Sequence, residues 1–592
     1  MKMPAVALSL NSGFGIFFGL LFVVLLASLM TILLSWLLLS RYKKSVGQLM
    51  LACGNSTTAT AEYSRHEADD TLGPGLACSN ISADSHADLL YRRMIAGPWL
   101  YAARYALAGM PFAVVMSVSF GMAFSQAQIN PLGAADHPLQ FLLMGWLFAW
   151  PVVVAALLIT KLNWQNRCAL LCGYFVILII LGALLTLMPT EAISLWGKRA
   201  IGWSGETPTR VAAKWFMLNL VPTLLLITFR NRRIRAVAPL VLAFMTAVAT
   251  GLLSVLLWLV INHQHFQAAS DFLTVAFAMR ANTAFIITLI LITLAACGVF
   301  AVLGGWLSQK IRQGYLAKSL SDLSLSLDAV WLLFASCYAI VLALAGPGWA
   351  VFGIAAFLLY KFSLKHTYKL LPSHQSDAYF CPTLLVLRVF SLGKRSETLF
   401  DTIAAYWRYI GTIQLIAGTD LAQSTVAPHQ FLSFITGKLK GLFIDSEAAV
   451  NRSIRAIDHR PDADGRFRIN DFLCHQDTWQ SVLSKLVAGN DVVLMDLRNF
   501  QPENQGCIFE INQLLQSVSV HRLVLVVDNT TDRQLFREVL LAACAGLPLG
   551  SPNSGISADE VQLFELKSDH AKALRMLLMR LSAAAGGAKS VA

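Results

Sequence analysis

The sequence predicts a multi-pass α-helical membrane region followed by a C-terminal cytosolic α/β domain with a mostly parallel sheet. Three observations lead there. Of the 592 residues, 56% are hydrophobic and only 14% charged, whereas a soluble domain carries about a quarter charged residues. Long apolar runs of near-bilayer length recur up to about residue 362. From 383 to 529 the apolar runs shorten to five or six residues and alternate with amphipathic segments, the pattern of βαβ units.

The first predicted helix, about Phe14 to Leu39 within a segment 1–44, is too long for the apolar core of a signal peptide. It ends on Arg41, Lys43 and Lys44. A polar loop rich in Ser, Thr, Ala and Gly is expected over 45–100, on the cytosolic side. Eight further spans are expected in 101–362, at about 105–125, 139–160, 168–188, 211–229, 236–261, 283–304, 328–345 and 349–362. The last two flank Gly346-Pro347-Gly348 and read as a tight helical hairpin or a re-entrant element. A basic linker, 363–382, leads to the α/β domain at 383–582, and 583–592 is an Ala/Gly-rich tail expected to fray.

Charge sets the orientation. Arg92/Arg93, Lys161/Arg167, Arg230 to Arg235, Lys310/Arg312/Lys318 and Lys361/Lys365/Lys369 fall at alternate ends of the spans. Basic clusters favour the cytosolic side, so the amino terminus is expected outside a plasma (inner) membrane and the C-terminal domain in the cytosol. The net charge of +12 is then a topological signal. The bilayer is the partner, and no nucleic acid is expected because no recognition motif accompanies the charge. Lys214, Asp328 and Lys361 read as residues at span ends that reach the interface, leaving no ionisable group near the middle of a span. That weighs against proton- or ion-coupled transport. Pro151 and Pro222 lie inside spans, where proline kinks a helix.

The ten cysteines form no C-x-x-C pair, and only Cys53 and Cys78 share a loop in which they would pair. The histidines show no H-E-x-x-H spacing, so no metal centre is expected.

In the α/β domain, strands are expected at 384–390, 412–417, 491–496, 523–527 and 561–566. Helices are expected after Ser396 and at 478–488, 507–516 and 570–583. A long insert, 421–475, holds a helix at 429–442 and the turn-rich 460–465. Ligands of an open parallel sheet bind outside the carboxyl ends of its strands. Lys394, Arg395, Asp420, Asp496, Arg498 and Asp528 stand there and are the candidate ligand-binding residues, with Lys394 and Arg395 suited to a phosphate. Cap and turn duties account for Asp420 and Asp528 equally well. Neither G-x-G-x-x-G nor a P-loop is present.

The order strand, helix, strand, long loop, Trp-bearing helix, strand and then Cys507-Ile508-Phe509-Glu510 resembles a TIR (Toll/interleukin-1 receptor) domain over roughly 383–540. The resemblance implies a flavodoxin-like sheet. Catalytic members carry a Glu in a W-C-x-x-E helix and cleave NAD, whereas others are assembly modules. Glu510 would then be the catalytic carboxylate, facing the cation-like charge that develops at the nicotinamide ribose. NAD would be the substrate, with Lys394, Arg395 or Arg498 on its pyrophosphate. Self-association through this domain is the corresponding expectation for an assembly module. Gly506 stands where the family has Trp. The functional expectation is a bacterial-type integral membrane protein presenting a cytosolic TIR-like signalling, sensing or effector domain. The alternatives are a transporter or channel with a regulatory domain, and a membrane-tethered NAD-cleaving enzyme.

Overall fold

The structure, a computed structural model, describes residues 31–49, 83–126, 138–160, 162–186, 208–227, 241, 263–343, 345–371, 380–388, 394–417, 428–435, 437–474, 478–561, 563–566 and 571–587. The chain divides into two compact units. One holds Leu100–Leu371, and the other Arg41–Trp99, Pro372–Val426 and Leu432–Ala592, with short segments exchanged.

The first unit is helical. Six described helices are long and apolar enough to cross a membrane: His86–Phe124, Pro138–Ile159, Trp164–Leu185, Ala281–Leu316, Asp322–Ala343 and Gly348–Leu370. The span expected at 14–39 is described over 31–39, where it is helical, and that at 236–261 lies outside the described residues except for 241. The polar stretch 45–100 is helical where described, since one helix ends at 49 and another runs over Ala83–Gln126. The linker expected from 363 begins as helix too, because Val351–Leu370 continues through it.

The pair around Gly346-Pro347-Gly348 forms a helical hairpin. Gly346 turns the chain at φ +146°, a conformation that favours glycine. Past the turn, Gly353 faces the preceding helix so closely that a Cβ there would sit 2.5 Å from Ala339 Cβ and 2.8 Å from the Ala335 carbonyl. Small residues allow such an approach between apolar helices.

Both prolines coincide with irregular helix, and the hydrogen bond lost at Pro151 is replaced. Pro151 cannot donate to Leu147, and the helix is interrupted between Phe148 and Trp150. The buried Asn219 amide donates to the freed Leu147 oxygen at 3.2 Å. Asn219 lies in a π-helical turn, Phe216–Leu220, ahead of Pro222. Its Oδ1 accepts from Tyr338 at 2.6 Å, and Trp150 donates to Thr223 Oγ1 at 2.8 Å.

The second unit is a parallel α/β sheet. Its strands are β1 Thr383–Arg388, β2 Thr412–Ala417, β3 Phe443–Ile444, β4 Ile469–Cys474, β5 Val492–Asp496, β6 Leu523–Val527 and β7 Leu563–Glu565. Their order is β3-β4-β2-β1-β5-β6-β7, and every pairing is parallel. The helices are α1 Lys394–Trp407, α2 Pro428–Ile435, α3 Glu447–Arg455, α4 Trp479–Gly489, α5 Gln505–Ser517, α6 Arg533–Ala545 and α7 Ala571–Gly587. β5 and β6 are buried along their whole length, as their unbroken aliphatic runs require. Leu385, Val493, Met495 and Leu525 meet Val482 and Leu486 of α4, Ile511 and Leu514 of α5, and Phe536 of α6 in one core.

Two features depart from expectation. The insert 421–475 contributes β3 and β4, and β4 pairs with β2 over five residues. A flavodoxin-like sheet, ordered 2-1-3-4-5, has one strand beyond β1 on that side. Here three lie there, and omitting the two-residue β3 leaves the doubly wound order 3-2-1-4-5-6 of dinucleotide-binding sheets. Close backbone contact fixes the start of this half-sheet. A Cβ on Gly411, just before β2, would collide with the carbonyl of Pro382, just before β1.

Candidate functional site

Strand order reverses at β1, with β2 on one side and β5 on the other, so the crevice lies outside the carboxyl ends of β1 and β5. Three connections meet there: the start of α1, the loop Leu497–Phe500 after β5, and the turn Asp528–Asp532 after β6. Their backbones are tied together. Leu497 N–H donates to the Val526 carbonyl at 2.8 Å and Asp532 N–H to that of Phe500 at 3.1 Å. The Thr531 hydroxyl donates to Leu497 O at 3.0 Å. Asn499 adopts φ +58°, which asparagine tolerates better than most side chains, and its N–H donates to Thr530 Oγ1 at 3.0 Å.

Four of the predicted ligand residues converge on this frame. Asp496 closes β5 and holds Arg498 through two bonds of 2.8 Å, Nε to Oδ1 and Nη2 to Oδ2. Both side chains are buried, so the pair is a planar, fully desolvated fork. Arg498 Nη2 also donates to the backbone carbonyl of Arg395 at 3.3 Å, linking the β5 loop to α1. Arg395 reaches across to Asp528, Nη2 to Oδ2 at 2.6 Å. Asp528 Oδ1 accepts from the Thr530 N–H at 2.9 Å and hydroxyl at 2.5 Å. Burial pushes the Asp528 carboxyl up, but the Thr530 bonds and the Arg395 charge outweigh it and hold the group below its ordinary range. Arg395 is 48% exposed while Asp528 is 2% exposed, so the guanidinium is the accessible face of the cluster. Its other nitrogens have no partner among the described residues.

The turn and cap duties expected of the aspartates are also visible. Asp528 organises its own turn through Thr530, and Asp532 caps α6 by accepting from Leu535 N–H at 3.0 Å. Lys394 is the first residue of α1. Asp420 lies outside the described residues.

Glu510 occupies a different place. On α5 it shares the core-facing stripe with Cys507, Ile511 and Leu514, and its Oε2 is buried without a hydrogen-bond partner. Burial pushes its carboxyl up to about 8. Cys507, one turn earlier, is raised by burial and then by the charges of Glu510 and Asp496, which places all three within electrostatic reach. At Gly506, where the TIR-like pattern would have Trp, the space is bordered by Trp479 of α4, whose ring lies 3.9 Å from the point a Cβ would occupy. Trp479 in turn meets Phe509 edge-on at 5.4 Å.

Thr530, Thr531 and Asn499 stand in the segments the sequence places at the strand ends, but the sequence reading gave them no role in building the frame. Their signal was Asp528-Asn529-Thr530-Thr531-Asp532, a run of turn-forming side chains after a strand. Among the described residues, no cluster of three or more His, Cys, Asp or Glu is placed to hold a metal ion. Neither the protein-family models, the curated proteins nor the solved structures contain a match to this chain.

Proposed function

We propose that this chain is an integral membrane protein presenting a cytosolic α/β sensing unit whose ligand is a phosphate-bearing anion. The observation that carries this reading is the half-exposed Arg395 guanidinium, tethered by one nitrogen to Asp528 at the β1/β5 crevice. An anion there would share Arg395 with Asp528 and pull on the Thr530 turn and, through the Arg395 carbonyl, on the Arg498 fork. The long apolar helices support the membrane assignment, and the basic clusters support a cytosolic sheet.

The test uses the full-length protein in detergent, titrated with inorganic pyrophosphate and with NAD while its thermal midpoint is followed. A ligand that binds only the folded state raises the midpoint. The rise should disappear in Arg395→Ala. A rise of equal size in that variant, or none at millimolar ligand, counts against the reading.

A second reading, NAD cleavage by a membrane-tethered TIR-like domain, is favoured by one observation. Glu510 is a buried carboxyl with an unpartnered oxygen and a raised proton affinity, the kind of perturbed group common at functional sites. It requires α5 to move so that Glu510 meets the nicotinamide ribose. NAD turnover abolished by Glu510→Ala in otherwise folded protein would support it; absence of turnover would remove it.

A further inference from the structure

The helices Asp322–Ala343, Val351–Leu370 and Ala83–Gln126 surround a set of polar side chains, among them Asp328 and Lys361, which the sequence places at span ends. Because the first of these helices starts at Asp322, Asp328 stands six residues inside it, about 9 Å at the α-helical rise. Lys361 stands nine residues before Leu370. The two form an ion pair, Nζ to Oδ2 at 2.6 Å, with the carboxylate 17% exposed.

A run of phenols leads away from this pair. Tyr360 donates to Asp328 Oδ1 at 3.5 Å, and its ring packs against that of Tyr105 with centroids 6.3 Å apart. The Tyr105 and Tyr101 hydroxyls lie 3.0 Å apart, and Tyr368 donates to Tyr101 at 3.4 Å. At the far end Arg104 lies over the Tyr368 ring, 5.1 Å from its centre, and donates from Nε to the Leu371 carbonyl at 2.8 Å. Trp331 stacks on Tyr360 at 4.5 Å, and Phe112 packs against Trp331 at 5.0 Å. Tyr101, Tyr105 and Tyr360 are buried.

An ion pair alone does not call for four phenols. Buried pairs are often no more stabilising than apolar residues of similar volume, and ionisable groups inside membrane helices commonly mark a pathway. A phenol both donates and accepts a hydrogen bond, so a line of them passes protons without net change. We propose that Asp328 is a proton-exchange site of the helical unit, filled and emptied through the hydroxyls of Tyr360, Tyr105, Tyr101 and Tyr368. In the filling step the Tyr360 O–H bond breaks as a proton bond forms to Asp328 Oδ1. Tyr360 takes the Tyr105 proton, Tyr105 that of Tyr101, and Tyr101 that of Tyr368. Tyr368 takes one from a hydronium ion at the Leu371 end. Every phenol is regenerated, one proton has moved, and Lys361 remains an ammonium without its counter-charge. Arg104 stabilises the phenolate that passes through Tyr368.

The groups facing Asp328 are Lys361 and Tyr360 from its hairpin partner, and Tyr105 from Ala83–Gln126, with Tyr101 and Arg104 beyond. The broken helices that also pack on Asp322–Ala343 bring the uncharged Trp150, Asn219 and Thr223. This inference rests on the reading of these helices as membrane-embedded, since bulk water at Asp328 would bypass the phenols.

The test is pH-jump infrared difference spectroscopy on the full-length protein in phosphatidylethanolamine–phosphatidylglycerol vesicles. Wild type should gain a protonated-carboxyl C=O band that Asp328→Asn lacks. Tyr105→Phe and Tyr360→Phe, which keep the packing, should reach the same band several-fold more slowly. An Asp328→Asn spectrum equal to wild type overturns the proposal, and so does a wild-type rate in both Phe variants. Flotation and an alkaline wash are run on the same vesicles. Protein that washes off sinks the membrane reading with it, whereas retained protein without the band difference sinks only the proton site.

Discussion

Glu510 is the side chain whose state most depends on its surroundings. Its folded-state proton affinity, near pH 8, lies above the ordinary glutamate value of about 4.3. Between those two values the folded chain keeps a proton that the unfolded chain has lost, so stability falls as pH rises, by about 1.4 kcal/mol per pH unit for one site. Glu510→Gln removes the titration. The variant should melt higher than wild type at pH 8 and show a flatter dependence between pH 5.5 and 8, read as the thermal midpoint of the α/β unit within the whole protein. An unchanged slope would show that α5 admits water to the carboxylate. In the Asp496–Arg498 fork, substitution destabilises. Both partners are buried, so Asp496→Ala strands a charge and should cost about 3–5 kcal/mol, seen as a lower denaturation midpoint. That Arg395, Asp496, Arg498 and Asp528 gather at the crevice was legible because acidic and basic residues stand where aliphatic strands end; which of them pair was not. The burial of Glu510 was not read from the sequence, where a glutamate on an amphipathic helix suggests a solvated or capping residue; Cys507, Glu510, Ile511 and Leu514 nevertheless follow the i, i+3, i+4, i+7 stripe of a core-facing helix.

Elements were legible where the apolar runs were uninterrupted. β1, β2, β5 and β6 fall within one or two residues of expectation, because strands buried on both faces need nothing but aliphatic residues. β4 was hidden by Asn470 and Asp471, residues that disfavour strands. The structure gives Asn470 a local duty, its Oδ1 accepting from Asp458 N–H at 2.9 Å. The helical hairpin was half legible. Its turn announces itself in Gly346-Pro347-Gly348, but the start at Asp322 does not, because the polar Ser321, Asp322 and Ser324 resemble a loop while Ser321 and Ser324 bond to one another's backbone N–H groups. Packing at Gly353 gives a prediction at this scale. Gly353→Val places branched carbons against Ala339 and the Ala335 carbonyl, and overpacking of this kind costs about 1–3 kcal/mol. The variant should lower the thermal midpoint of the detergent-solubilised protein, while Gly348→Ala, where a Cβ meets nothing within 4 Å, should leave it nearly unchanged.

At the scale of the molecule, the proposed function depends on which side of a bilayer the sheet occupies. The charge clusters at Arg41/Lys43/Lys44, Arg230 to Arg235, and Lys310/Arg312/Lys318 cannot all stay on one face unless the intervening segments cross in pairs. The described helices Ala281–Leu316 and Asp322–Ala343 meet this condition, with Lys310, Arg312 and Lys318 between their apolar portions. In the proposed topology the hairpin crosses and returns, and its second helix carries Lys365 and Lys369 near its end, ahead of β1. The proposed topology thus puts Lys310, Lys318, Lys365, Lys369 and the sheet in one compartment, and the positive-inside rule predicts that it is the cytosol. Reporter fusions after Ala592 check this. A fluorescent protein that matures only in the cytosol should be bright there, and alkaline phosphatase, active only outside, should be silent. Fusion within 126–138 should give the reverse pattern. The opposite pair of results would put the sheet outside, where a crevice for a cytosolic phosphate-bearing ligand has no purpose, and would place the Leu371 end of the phenol chain on the outer side.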